Sequence, residues 1–393
     1  MRVDFLSGRY SPRFAGHRIR RVASMEEYGR IVIFTTPSKS DGVRRHIEQT
    51  VDSKGKHLDL LLKQLPSLDD AVHLLNSGSG DLIAMSPEEW EQIRDNRFTL
   101  VGILPRREPT WVLVSDDNPD RLVKEPLVVC DSELMSRQFQ RVRPDATILQ
   151  SGMVIEDSGL EERETWMSIE QLRSRGEIDG YIIPRSLYTM LNIRSRRHTL
   201  GLQREQPRGL RERFIPPPMH GFTLLVGRFG FPSEVVESLC DQPAMVAYDV
   251  EHMLMNNLPE EFRGMTGIFV EQRKLGSLMN ESKKNNDGFF EKFYIDTENK
   301  PIRSGPQIEV FLESLDHQGR VAFGCYKVIE LEAMRLGTIN ILREFESIGV
   351  QLSTDFEELK RAPETLPEEY KFAREKLFKL HKNGNRESDL DEN

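Results

Sequence analysis

The sequence predicts an α/β protein with a small antiparallel sheet toward its C-terminal end. Three observations carry this. Short β-branched runs alternate with polar turns and helical stretches through the first half of the chain. Beyond residue 266, strand candidates follow one another with only turn signals between them (NNDG, DTENK, DHQG). The stretch Leu331–Ile348 then places Leu336, Ile339, Leu342, Phe345 and Ile348 near period 3.6, as a helix covering that sheet would.

The first strand is Arg30–Thr35 (RIVIFT), of the kind buried in a parallel sheet. A polar turn (TPSKSDG) leads to a helix over Val43–Asp52. Leu58–Leu62 precedes the helix Leu68–Asn76, and Ser77–Gly80 turns into the strand Asp81–Met85. Strands at Thr99–Leu104 and Trp111–Ser115 complete a first, mostly parallel block. A second block runs from Leu127–Cys130 (strand) and Glu133–Val142 (helix) to Ala146–Gln150 (strand). It continues with Ile169–Arg175 (helix), Gly180–Pro184 (strand) and a helix opening at Leu187–Leu191. Phe214–Pro218 (FIPPP) breaks any helix, and Thr223–Val226 is a buried strand after the break. Val235–Asn257 reads as helix. The strands of the last block are Gly267–Val270, Phe289–Ile295, Ile308–Leu315 and Arg320–Val328, and Leu366–His381 reads as a last helix. The expected organisation is a basic arm at 1–29, domain 1 at 30–116 and 217–231, domain 2 at 117–216, domain 3 at 232–353, and a charged extension at 354–393.

The 54 basic and 63 acidic residues leave a net charge of −9, which argues against a dedicated nucleic-acid or anionic-membrane binder. Mean hydropathy is −0.50, and no run reaches the length of a membrane helix or the apolar core of a signal peptide, so a cytoplasmic protein is expected. Cys130, Cys240 and Cys325 form no CxxC pair, and the nine histidines include no HxxxH or HExxH spacing, so no metal site is expected. Ser77–Gly80 lacks the lysine of a phosphate-binding loop and reads as a turn. The arginines of 194–213 read as a solvated face.

Several stretches, in order and almost gap-free register, resemble the porphobilinogen deaminase (hydroxymethylbilane synthase) family. Where that family reads GxxDxAVHSxKDVP and then LPREDPRDAFVS, this chain reads GDLIAMSPEEWEQ and then TLVGILPRREPTWVLVS. RVRPDATI resembles the stretch after the family's GTSSLRRQ motif, GEIDGYIIPRSLYTMLNI resembles GxYDAIILAxAGLxRLGL, and IPPPMHGFTLLVGR stands where LPAxGQGALGIECR is expected. The resemblance covers about Arg30 to Leu352. It implies two doubly wound type-2 periplasmic-binding-like domains plus a small C-terminal α/β domain with an antiparallel sheet. It also implies tetrapyrrole biosynthesis on a dipyrromethane cofactor tethered to cysteine.

The family's chemistry needs a carboxylate to stabilise charge on pyrrole nitrogen, arginines to pair with acetate and propionate groups, and a thiolate to anchor the primer. The carboxylate position falls on Glu89, with Glu88 at the family's lysine; the bland reading puts both in the first turn of a helix after Ser86-Pro87. The arginine of TRxSxLA becomes Thr36, while Ser38 is kept and Lys39 offers a charge. The paired arginines of SSLRRQ fall on Leu134 and Met135, with Ser132 and Gln138 kept and Arg137 one turn away. Arg106 of LPRREP is kept. Phe262 occupies the anchor cysteine's position, and Cys240 is the nearest thiol in sequence. The resemblance therefore implies Glu89 as the catalytic group and Ser38, Lys39, Ser86, Arg106, Ser132 and His220 as ligand-binding residues, with the dipyrromethane absent. Three readings stay open: a divergent synthase; a non-catalytic relative holding a small anionic ligand, such as a pyrrole carboxylate, between its domains; and another enzyme on this fold using Glu88, Glu89, His220 and Lys39.

Overall fold

Ile31–Thr35 (β1) is an almost wholly buried β-branched strand, and two parallel partners flank it: Leu60–Gln64 (β2) and Leu82–Met85 (β3). The computed structural model describes residues 29–55, 57–93, 95–155, 160–202, 213–284, 305–315 and 322–361. The arm at 1–28, the strand expected at Phe289–Ile295 and the helix expected at Leu366–His381 lie outside the described residues. Val43–Lys54 (α1), Leu68–Asn76 (α2) and Pro87–Ile93 (α3) follow the three strands, and Phe98–Ile103 (β4) ends the segment. Ser67 caps α2, accepting the Asp70 N–H at 3.1 Å.

The chain then crosses to a second sheet. Trp111–Val114 (β5) enters it, followed by Leu127–Val129 (β6), Glu133–Val142 (α4) and Thr147–Leu149 (β7). Ser151–Val154 (α5), Glu162–Ser174 (α6), Gly180–Pro184 (β8), Arg185–Leu191 (α7) and Arg197–Leu200 (β9) complete it. The chain returns to insert Leu224–Arg228 (β10) into the first sheet. The strand orders are β2-β1-β3-β10-β4 and β7-β6-β8-β5-β9. In each sheet the strand arriving from the crossover is antiparallel to both neighbours, so four of five strands point one way. Each lobe thus has the same doubly wound order, completed by a strand from the neighbouring stretch of chain; this is the type-2 periplasmic-binding architecture.

Two boundaries differ from expectation. Trp111–Val114 belongs to the second sheet, so the first crossover is residues 104–110 and domain 2 does not start at 117. Every residue of that strand is buried, and a run apolar on both faces fits either sheet equally well. The helix expected from Val235 begins as a separate 3₁₀ turn, Ser233–Leu239, whose Val236 and Leu239 pack into the first lobe. Arg197–Leu200, inside the arginine-rich run read as a solvated face, is the edge strand β9.

The third unit is Gln242–Asn257 (α8), Glu260–Arg263 (α9), Thr266–Lys274 (β11), Leu275–Lys284 (α10), Pro306–Leu315 (β12), Ala322–Glu330 (β13) and Met334–Arg361 (α11). Its strands form one antiparallel sheet, β11-β12-β13. Ile268, Val270, Ile308, Val310 and Leu312 share a core with Val250 and Leu254 of α8 and with Ile341 and Phe345 of α11. That core is continuous with Phe34, Ile83, Phe222 and Leu224 of the first lobe. Leu336 and Ile339, expected on the covering face of α11, are instead 63% and 42% exposed; Thr338 and Ile341 take the inner face. Among the described residues no helix is long and apolar enough to cross a membrane.

Candidate functional site

In an open α/β sheet, ligands bind beyond the carboxyl ends of the strands, where helices begin. Four such ends meet between the lobes: the loops β1–α1 and β3–α3 from the first, and β6–α4 and β8–α7 from the second. A cavity of about 340 Å³ lies there, with Ser86, Glu88, Trp111, Ser132 and Pro184 in its wall. A larger one, about 730 Å³, lies between α1 and α7. Asp41, Arg107, His220 and Gly221 line both.

The two crossovers run side by side beneath these cavities. Arg107 donates its N–H to Gly221 O at 3.1 Å, and Leu104 donates to Thr223 O at 3.1 Å. Gly221 has φ +88, and a Cβ there would stand 2.7 Å from Arg107 O, so only glycine permits this approach. The β1–α1 loop reaches across to the second lobe. Ser40 N–H donates to Glu162 at 3.3 Å, the Ser186 hydroxyl donates to Ser40 O, and Arg107 donates to Asp41 O. Gly42 caps α1 at φ +65, and a Cβ there would meet Ser186 Cβ at 2.9 Å.

Ser38 and Lys39 line the larger cavity, Ser86 and Ser132 the smaller, and His220 both. Three residues expected at the site lie elsewhere. Arg106 spends all five donors inside the protein: on Glu251 (2.7 and 3.2 Å), on His220 O (3.1 and 2.9 Å) and on Val270 O (3.0 Å). Its guanidinium also lies 4.1 Å from the Phe222 ring centroid. Glu89 lines neither cavity. One oxygen accepts the Ser86 N–H at 3.1 Å while Glu89 N–H donates to the Ser86 hydroxyl at 3.2 Å, a capping box; the other oxygen pairs with Lys39 at 2.6 Å. Phe262 packs edge-on against Phe323 and Phe345 in the third unit, at 5.9 and 6.3 Å.

Residues for a tethered dipyrromethane do not fit either. A phenyl ring forms no thioether, and burial pushes the thiols of Cys130, Cys240 and Cys325 up to about 11, far from thiolate at neutral pH. Cys240 Sγ packs against Gly102 of β4. Burial, with Arg106 and Arg107 nearby, pulls His220 down to about 3, so its ring is neutral; it stacks 5.7 Å from Trp111.

Arg107 escaped the sequence reading although it adjoins Arg106. Its Nε is buried with no hydrogen-bond partner, and the same holds for Thr110 Oγ1 and Trp111 Nε1 in the same crossover. Unpaired buried polar groups are costly, so three in one segment mark where a ligand's acceptors would be held. No His, Cys, Asp or Glu side chains group as a metal site among the described residues.

No protein-family model and no curated protein matches the chain. Solved structures do. The chain is similar to the zinc-bound ligand-binding component of an ABC-type import system from Staphylococcus aureus, with 12% identity over 58% of this chain and 76% of that one, and a TM-score of 0.31. It is similar to the VFT2 domain of BvgS from Bordetella pertussis, with 12% identity, 58% and 93% coverage, and a TM-score of 0.31. It is also similar to a nutrient-binding protein from Burkholderia cenocepacia bound to methionine, with 10% identity, 53% and 91% coverage, and a TM-score of 0.30.

Proposed function

We propose that this chain is a binding protein on a porphobilinogen deaminase-type scaffold, holding a small anionic ligand in the cleft between its lobes without transforming it. The observation that carries the reading is Arg107: a guanidinium in the interlobe wall whose Nε–H has no partner, beside the unpaired indole N–H of Trp111. Two donors at the start of one strand suit a carboxylate. A cavity of about 340 Å³ has room for a single substituted ring such as a pyrrole carboxylate. The absence of turnover follows from the surroundings. The carboxylate in the catalytic position caps a helix, the retained arginine fastens the hinge, and the anchor position is an aromatic core residue.

The test is calorimetric titration with porphobilinogen, paired with the intact mass of the protein before and after. One-to-one binding with an unchanged mass is expected, and Arg107→Ala should weaken it by about tenfold or more, as loss of a charged hydrogen bond does. A ladder of added pyrrole units would restore the synthase reading. Absence of binding to porphobilinogen and to simple aromatic carboxylates would end the ligand assignment.

A further inference from the structure

The larger cavity has its own charge pattern, distinct from that of the cleft. Its acidic groups are already answered. Glu48 is held by Arg44 at 2.9 Å and Glu108 by Arg185 at 2.8 Å. Asp41 accepts the Val43 N–H at 2.9 Å, and burial drives its carboxyl toward the neutral form. Two of its cations are answered as well: Lys39 by Glu89 at 2.6 Å, and Arg185 by Glu108. That leaves two guanidiniums in the wall without a counter-ion. Arg45, exposed on the first turn of α1, makes no ion pair among the described residues. Arg107 reaches only the Asp41 carbonyl and leaves its Nε–H unused. The buried Thr110 hydroxyl between α1 and α7 also lacks a partner. Two uncompensated planar cations and a free hydroxyl in one cavity are the complement of a multiply charged oxyanion.

We propose that this cavity is a second anion site, separate from the cleft, which takes a phosphoryl dianion: inorganic phosphate or the phosphate of a small ester. At about 730 Å³ it exceeds what a bare phosphate fills, leaving room for an ester's organic part. Arg107 stands in the wall of both cavities, so occupancy of one changes the field felt in the other.

The discriminating variant is Arg45→Ala, because Arg45 is exposed and lines only the larger cavity. The full chain is titrated with inorganic phosphate and with glycerol phosphate, with chloride at matched ionic strength as the control. The wild type should bind phosphate in preference to chloride, and Arg45→Ala should weaken that binding by about tenfold. The porphobilinogen titration of the cleft should be unchanged in the same variant. A tighter ester than phosphate assigns the site to an ester, and equal affinities assign it to the phosphoryl group alone. Phosphate binding that Arg45→Ala leaves untouched, or that chloride matches, overturns the proposal. Loss of porphobilinogen binding with phosphate binding intact would sink the cleft reading and leave this one standing.

Discussion

Arg106 and Arg107 are neighbours with opposite fates. Successive side chains of an extended segment point to opposite sides, so only one of two adjacent arginines can face the cleft. The motif match selected Arg106, because that residue stands in the recognisable LPR stretch. The direction in which each side chain leaves the crossover is a tertiary fact, and no periodicity within seven residues encodes it. Asp249 is a comparable case on α8. Burial pushes its carboxyl up to about 6, with Arg335 only partly opposing. A folded-state value above the unfolded one means that protonation favours the fold. Stability from this group is full below about pH 4 and is lost as pH rises through about 6. Asp249→Asn should therefore gain about 2 kcal/mol at pH 7.5 and nothing at pH 4, read by urea denaturation at both pH values. Equal effects at the two pH values would show that the carboxyl is solvated after all.

At the scale of elements, α3 shows how a sequence signal can be right about structure and mute about chemistry. Ser86-Pro87-Glu88-Glu89 is a helix start by every local rule: cap, proline in the first turn, capping-box acid. The same four residues also occupy the register of a catalytic motif, and only the positions of Lys39 and the cavity walls separate the two meanings. Glu89→Gln keeps an oxygen for the Ser86 N–H and removes the counter-ion of a half-exposed lysine. It should cost about 0.5–1 kcal/mol in thermal or chemical unfolding and leave porphobilinogen affinity unchanged. A fall in affinity at unchanged stability would return Glu89 to the site. Most elements were legible, and α2, α4 and β8 fall within the expected bounds because each has a clear cap, turn or buried run. β9 was not. Its alternating Arg-His-Thr-Leu exposes every other residue, as an edge strand does, and the surrounding arginines masked the pattern.

For the whole molecule, the decisive contact is the one between the hinge and the third unit. Glu251 is fully buried on α8, takes both Arg106 bonds, and accepts N–H groups from Met219 (2.7 Å) and Val270 (2.9 Å). Met219 sits at φ +65, a left-handed backbone stabilised by that carboxylate. Arg106→Ala leaves the carboxylate buried and alone, and should cost about 3–5 kcal/mol in urea denaturation. Arg106→Met with Glu251→Gln keeps an acceptor for the two N–H groups without a charge, and should recover most of that loss; a double variant as unstable as the single would refute the buried-charge account. None of this could be read from sequence, since Glu251 is one unremarkable acid within a long helix and its partners lie far away along the chain. The exchange of strands between the lobes has a further consequence, for synthesis. A ribosome releases β5 through β9 as one continuous stretch, so the second lobe can close as soon as Leu200 has emerged. The first lobe, begun earlier, cannot. β3 and β4 have no direct pairing, and both wait with raw edges for Leu224–Arg228 to slot between them. The half of the protein made first is finished last, and a translation stall before residue 224 leaves two open sheet edges exposed to every other nascent chain nearby.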